Sequence, residues 1–187
     1  MGTIEFFDRT TGTSLPKSYI PAIIRGMRRA FKKGKLAGQE ASAMQVFIHG
    51  GDHHSVDSSD KAFETCGEFA VEQVFDRGSW SLLEPLMKVS IETPGHSIGE
   101  IIKIMSNRHG SLVESNFEES QEFGQMNVAS MIFEAPLNFM FNFTSELRMR
   151  TQGKGEFTME FYRFVPAFSE THQEAIENYM EKEGLSL

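Results

Sequence analysis

Hydrophobic and polar positions along the chain fall into two successive patterns. Residues 3–7 carry a strand-like run, Ile4-Glu5-Phe6-Phe7, and the turn-rich loop Thr10-Thr11-Gly12-Thr13-Ser14 follows. After Pro16, Ile20, Ile23, Ile24, Met27 and Phe31 recur at helical spacing, with Arg25, Arg28, Arg29, Lys32 and Lys33 on the other faces. Gly34 and Gly38 punctuate the end of that helix. Met44, Val46 and Ile48 alternate with Gln45, Phe47 and His49, which predicts a strand entering the loop His49-Gly50-Gly51-Asp52-His53-His54. Asp57-Ser58-Ser59 supplies N-cap chemistry for a second helix, whose expected inner face is Phe63, Cys66, Ala70 and Val74. The first unit therefore reads β-α-β-α.

Gly78 to Leu83 is too short for a flexible linker, and a second pattern begins there. Met87, Val89 and Ile91 alternate as a strand, and Ile98, Ile101, Ile102 and Met105 fit a helix ended by Gly110. Strands at about 111–117 and 125–134 flank an acidic turn holding Glu114, Glu118, Glu119 and Glu122, read as a solvated hairpin connection. Leu137, Met140, Phe141 and Leu147 mark a helix, and Phe157, Met159 and Phe161 a last strand. The order β-α-β-β-α-β is that of a ferredoxin-like fold. A closing helix, from about Glu170 to Glu181, is expected on its outside. The fold class is α+β, with one unit in residues 1–83 and another in 84–187.

Composition and charge change this picture in one respect. A chain of 187 residues with 40% hydrophobic content suits one large or two small domains. No apolar run approaches the roughly 18 residues of a membrane span, and the single Cys66 excludes an internal disulfide framework. The N-terminus resembles no signal or transit peptide, and its abrupt start suggests a fragment. The net charge of −8 opposes general nucleic-acid affinity, but its distribution is uneven. Residues 1–83 hold ten basic and ten acidic side chains, leaving eight basic and sixteen acidic for 84–187. Lys17 to Lys35 carries seven positive charges and no negative one, so an anionic partner should meet the N-terminal half.

Candidate chemistry is sparse. No G-x-x-x-x-G-K-[ST] phosphate loop is present: Gly34-Lys35 and Gly153-Lys154-Gly155 lack the required neighbours. Cys66 is expected on an apolar helix face and no serine sits in a Gly-x-Ser-x-Gly elbow, so no catalytic residue is assigned. His49, Asp52, His53, His54 and Asp57 are close enough in sequence to raise a metal site. Zinc demands three or four ligands converging at about 2.0–2.3 Å, whereas neighbouring side chains on an extended strand diverge. That weighs toward an ordinary polar loop and no metal. Glycine flexibility, imidazoles and serine hydroxyls also suit an RNA-probing fingertip. The basic helix faces read either as solvated surface or as a phosphate-contacting stripe.

Several segments then resemble elongation factor G, in its domains IV and V. Leu15-Pro16-Lys17-Ser18-Tyr19-Ile20-Pro21-Ala22 looks like the family's I-P-x-x-Y-I-P-A, and Leu36-Ala37-Gly38 matches its L-A-G. His54-Ser55-Val56-Asp57-Ser58-Ser59 matches H-x-V-D-S-S, and Leu83-Glu84-Pro85-Leu86-Met87-Lys88-Val89 matches L-E-P-I-M-x-V. Arg108-His109-Gly110, Leu147-Arg148, Thr151-Gln152-Gly153-Lys154-Gly155 and Thr158-Met159-Glu160 follow in order, from about Ile4 to Gly184 in all. Asn107-Arg108-His109-Gly110, Glu146-Leu147-Arg148 and the run at 155–161 look most like the mitochondrial branch.

The resemblance implies a partial ribosomal-protein-S5-like domain IV in residues 1–83, its first strand missing, and a ferredoxin-like domain V with a C-terminal helix in 84–187. It implies a left-handed β-α-β crossover in the former, against the usual rule. It further implies a mitochondrial-matrix factor promoting GTP-dependent movement of tRNA and mRNA on the ribosome, with GTP and Mg²⁺ bound elsewhere in the parent GTPase. The tip entering the decoding A site would be Gly12, Thr13, Ser14, Leu15 and Pro16 with Gly51, Asp52, His53 and His54, and His54 takes the tip-histidine position. Arg25, Arg28, Arg29, Lys32 and Lys33 would face RNA, and domain V would meet rRNA and stalk-base proteins of the large subunit. No cofactor, membrane or small-molecule substrate is implied for this stretch. Gly12-Thr13 stands where the family has Gly-Gly, and Phe141-Asn142-Phe143 where it has Phe-Gly-Tyr. A missing strand predicts an unpaired sheet edge near residues 3–7. Two other readings stay open: the ribosome-recycling paralogue, and a metal-binding or hydrolytic module at His49, His53 and His54.

Overall fold

A computed structural model describes residues 2–12, 15–118 and 127–184. The chain divides into two compact units, residues 1–82 with 172–187, and residues 83–171. The expected tip residues Thr13 and Ser14 and the turn residues Glu119 and Glu122 lie outside the described residues.

In the first unit, β1 (Ile4–Asp8) runs parallel to β2 (Met44–Ile48), with Ile4 opposite Met44 and Phe7 opposite Phe47. Parallel pairing requires a crossover, supplied by a 3-10 turn at Lys17–Tyr19 and α1 (Ile20–Lys33). Pro21, in the first turn of α1, loses no helical hydrogen bond there. Lys32 and Lys33 sit in the last turn, where the helix dipole favours cations. Ile4, Phe6, Met44 and Val46 turn toward α1 and α2 (Asp60–Arg77), against Ala30, Phe31, Val71 and Phe75. Among the described residues β1 pairs only with β2, so the expected unpaired edge is present.

The start of α2 is as expected: Ser59 is the N-cap and its hydroxyl accepts the Ala62 N–H at 3.2 Å. Its inner face is not. Phe63, Gly67, Val71 and Phe75 are buried, while Cys66 and Val74 are exposed. The physical reason is the helix crossing. An added Cβ at Gly67 would lie 2.4 Å from the Ile23 carbonyl oxygen, and one at Gly26 only 1.9 Å from that of Glu64. The two backbones touch through glycines, which apolar periodicity does not register. The helix is thereby turned so that Cys66 and Val74 of the expected stripe face out, and Phe63 of it stays buried beside Gly67, Val71 and Phe75.

The second unit is a four-stranded antiparallel sheet in the order β4-β5-β3-β6. These strands are Ser111–Glu118, Val128–Pro136, Leu83–Pro94 and Glu156–Pro166 respectively. With α3 (Ile98–Asn107) after β3 and α4 (Phe143–Arg150) after β5, this is the ferredoxin-like arrangement. Val89, Ile91, Met131 and Phe133 of the sheet pack on Ile101, Ile104, Met105, Phe143 and Leu147 of the helices. Two expectations shift. Ile102 is exposed and Ile104 takes the buried position. The helix predicted from Leu137 is a 3-10 turn, Leu137–Met140, broken from α4 at Asn142, whose φ is 61°. Exposed Phe141 at that break belongs to neither. The closing helix α5 is Ser169–Glu183, and Tyr179 packs on Gly38 of the loop after α1.

Candidate nucleic-acid interface

Both expected tip loops leave the same end of the β1–β2 pair, because parallel strands put their C-terminal ends together. Asp8 seats the root of the first loop. Its Oδ1 accepts the Thr10 N–H at 2.9 Å and the Thr10 hydroxyl at 2.7 Å, and Lys17 Nζ approaches Oδ2 at 3.6 Å. The Thr10 hydroxyl and N–H, then the Lys17 charge, hold the Asp8 carboxyl below its ordinary value. Gly12, at φ 82°, is in the region that favours glycine, and an added Cβ would meet nothing within 4 Å. Leu15 departs from its expected place as a tip contact: it is 3% exposed, in a core cluster with Ile20, Ile23 and Phe63. Its side chain faces inward because an apolar group at a loop base gains more from burial than from water.

That inward turn brings Leu15 near the second loop, since a Cβ added at Gly51 would lie 3.4 and 3.6 Å from the Leu15 methyls. His53 lies against Tyr19, ring centroids 5.9 Å apart, and Tyr19 stacks on Phe63 at 4.5 Å. His54 is held by its backbone: its N–H donates to Ser58 Oγ at 2.9 Å, and its carbonyl accepts the Ser58 N–H at 3.0 Å. Its imidazole is 70% exposed, with Nδ1 3.4 Å both from the Val56 nitrogen and from Asp57 Oδ2. Gly50, Gly51 and Asp52 are exposed. Both imidazoles are therefore exposed, His53 lying against the Tyr19 ring and His54 projecting. His49 goes to a third place, beside Phe47 on the outer sheet face at 6.4 Å. The three imidazoles thus do not converge, and among the described residues no three His, Cys, Asp or Glu side chains are grouped to hold a metal ion.

The basic helix is less free than its sequence suggests. Arg25 pairs with Asp60 and Glu64, and Arg29 with Glu64 and Glu68. Lys35 pairs with Asp76. The acids at 60, 64 and 68 repeat every four residues, so they form one stripe along α2 facing α1. Arg25 and Arg29 of the expected RNA-facing set are thus ion-paired to that stripe, with about half of each side chain still exposed. Arg28, over the Phe6 ring at 5.1 Å, and the exposed Lys32 and Lys33 carry no ion pair among the described residues.

Residues 1–79 match the family described as elongation factor G, domain IV, and residues 81–175 the one described as elongation factor G C-terminus. The chain belongs to the elongation factor G family. "Elongation factor G, mitochondrial" of Drosophila virilis is 39% identical over 97% of this chain and 23% of its own length. The protein of that name from Anopheles gambiae is 40% identical over 98% of this chain and 24% of its own length. The chain thus spans about a quarter of the length of these relatives. A crystal structure of a Thermus thermophilus protein superposes with a TM-score of 0.80 at 26% identity, covering 96% of this chain and 26% of that one.

The elongation factor G motifs of the second unit acquire structural reasons. Glu84, in the L-E-P run, is buried, and its Oε1 accepts the Phe168 N–H at 2.8 Å, tying β3 to the segment that leads into α5. Arg108 clamps the turn before α4. It donates to Glu146 Oε2 at 3.2 and 2.8 Å, to the Phe141 carbonyl at 3.0 Å and to the Phe139 carbonyl. His109 and Gly110 end α3 in a Schellman motif, with Gly110 N–H to the Met105 carbonyl at 2.7 Å and His109 at φ 55°. His109 also packs between Phe139 and Phe168 at 4.4 and 4.7 Å. The position where elongation factor G carries a glycine in Phe-Gly-Tyr is Asn142, and asparagine tolerates its left-handed φ of 61°. Phe143, in place of the tyrosine, is 1% exposed in an apolar cluster, where a hydroxyl would need a partner.

Proposed function

We propose that this chain is the translocation arm of a mitochondrial elongation factor G: it promotes GTP-dependent tRNA–mRNA movement by placing its tip in the decoding A site. The observation that carries this reading is the pair of loops leaving one end of β1–β2, with buried Leu15 of the first close to Gly51 of the second, from which His54 projects with 70% of its side chain exposed. His53 rests against Tyr19 beside it, and the exposed His54 imidazole offers a ring nitrogen and a ring face to an RNA duplex. Gly12, Thr13, Ser14, Pro16, Gly51, Asp52 and His53 complete the tip; Arg28, Lys32 and Lys33 face the phosphate backbone behind it. Residues 1–83 act as domain IV and 84–187 as domain V, which docks on large-subunit rRNA and stalk-base proteins. The chain itself contributes no bond chemistry, and the parent's G domain supplies GTP hydrolysis with Mg²⁺. The names of the insect relatives support a mitochondrial setting, in the matrix.

The test is single-turnover tRNA movement by the whole factor carrying His54→Ala, together with ribosome binding. Slowed movement with intact binding is expected. Wild-type movement, or activity confined to subunit splitting with the recycling factor, would overturn the translocation reading.

A further inference from the structure

The outer face of the β1–β2 pair, turned away from both helices, carries three cross-strand rows. Glu5 lies opposite Gln45, Phe7 opposite Phe47, and Arg9 beside His49, its N–H bonded to the Ile48 carbonyl at 2.9 Å. Phe7 and Phe47 are 38% and 37% exposed, although apolar rings of this size gain from burial. Their rings are nearly parallel, 19° apart with centroids at 5.1 Å, and the Arg9 guanidinium sits over Phe47 at 4.4 Å. Arg9 makes no ion pair among the described residues, whereas Glu5 accepts from the Gln45 amide at 3.0 Å at the end away from the loops. Aromatic stacking, the Arg9 guanidinium and an exposed imidazole are thus aligned on one face, and the Arg9 end borders the two tip loops.

We propose that this face is a stacking platform for unpaired nucleobases of single-stranded RNA. A base adds a further ring to a stack already begun by Phe7 and Phe47, and Arg9 contributes a planar cation for the base or the adjoining phosphate. A protein partner fits worse. Two phenyl rings bounded by charged and polar rows supply far less apolar area than the roughly 800 Å² per partner of a stable interface, and Arg9 buried there would lose water without a counter-charge. The proposal rests on the reading of the adjoining loops as an RNA-contacting tip, and one experiment separates the two.

The full 187-residue chain is titrated at low salt into a short single-stranded RNA carrying 2-aminopurine at its centre. Anisotropy gives affinity and 2-aminopurine quenching reads stacking. Phe7→Leu and Phe47→Leu, which keep apolar bulk, are expected to weaken binding about fivefold or more and to remove the quenching, with unchanged thermal melts. Phe47→Tyr is expected to keep both within about twofold, because the ring is retained. Loss of binding in the leucine variants but not in His54→Ala supports the platform independently of the tip, whose own test is the movement assay. Loss in His54→Ala alone, with quenching intact in the leucine variants, overturns the platform and leaves the tip. No binding by the parent chain overturns the platform, as does a dimer that Phe47→Leu dissociates while RNA affinity stays unchanged.

Discussion

Replacing Gly67 with alanine tests the account of the helix crossing. The added Cβ would fall 2.4 Å from the Ile23 carbonyl oxygen, whereas ordinary contact begins at 3.4 Å, so α1 and α2 must part by the difference, about 1 Å. Separation on that scale forfeits a quarter or more of the dispersion well at each contact across the seam. Six side chains line it: Ile23, Ala30, Phe31, Phe63, Val71 and Phe75. At about 2 kcal/mol each for burial, a quarter lost is roughly 3 kcal/mol. Alanine returns about 1 kcal/mol of helix propensity, leaving a net loss of roughly 2 kcal/mol. The one tryptophan, Trp80, packs on Phe75 at 4.7 Å within the first unit, so its fluorescence follows that unit through urea unfolding. At a slope of about 2 kcal/mol per molar urea, the midpoint should fall by about 1 M. Gly99→Ala in α3, where an added Cβ meets nothing within 4 Å, should leave the Trp80 transition in place. A Gly67→Ala midpoint equal to or above that of the parent would refute the reasoning.

Two further outcomes follow from the polar contacts. Arg108→Ala should lower the stability of the second unit by about 2–3 kcal/mol in urea unfolding, since it strands Glu146 and two carbonyls; Arg150→Ala should change it by less than about 1 kcal/mol, because the Arg150–Glu100 pair is half exposed. Asp8 has its carboxyl pKa depressed on folding, so its contribution is fully present above the ordinary value of 3.8 and is lost as pH falls through the lower folded value. The protection of the Thr10 amide, its exchange relative to an unstructured chain at the same pH, should therefore be level across neutral pH and fall on acidification, and Asp8→Asn should flatten that acid limb.

The sequence made most elements legible because their apolar spacing is regular. β2, with Met44, Val46 and Ile48 turned in and Gln45, Phe47 and His49 turned out, needed only period-two alternation. Ser59 was readable as a cap from its hydroxyl and position. The α2 face was not readable, because Gly67 contributes by having no side chain. The basic stretch from Lys17 to Lys35 looked uncompensated because its counter-charges, Asp60, Glu64 and Glu68, arrive from another helix. Likewise Leu15 sits amid polar tip residues in sequence, yet it is buried with Ile20, Ile23 and Phe63 because those partners come from the helices. Linear spacing records each element's own face and says nothing of what a neighbour brings to it.

The central claim is tested most directly by tethering an iron chelate to Asp52→Cys in the whole factor, with the exposed Cys66 changed to serine. Hydroxyl-radical cleavage of small-subunit RNA around the decoding site is the predicted result when the factor is held on the ribosome after tRNA movement. Cleavage confined to other RNA, or none from a factor bound at full occupancy, would contradict it.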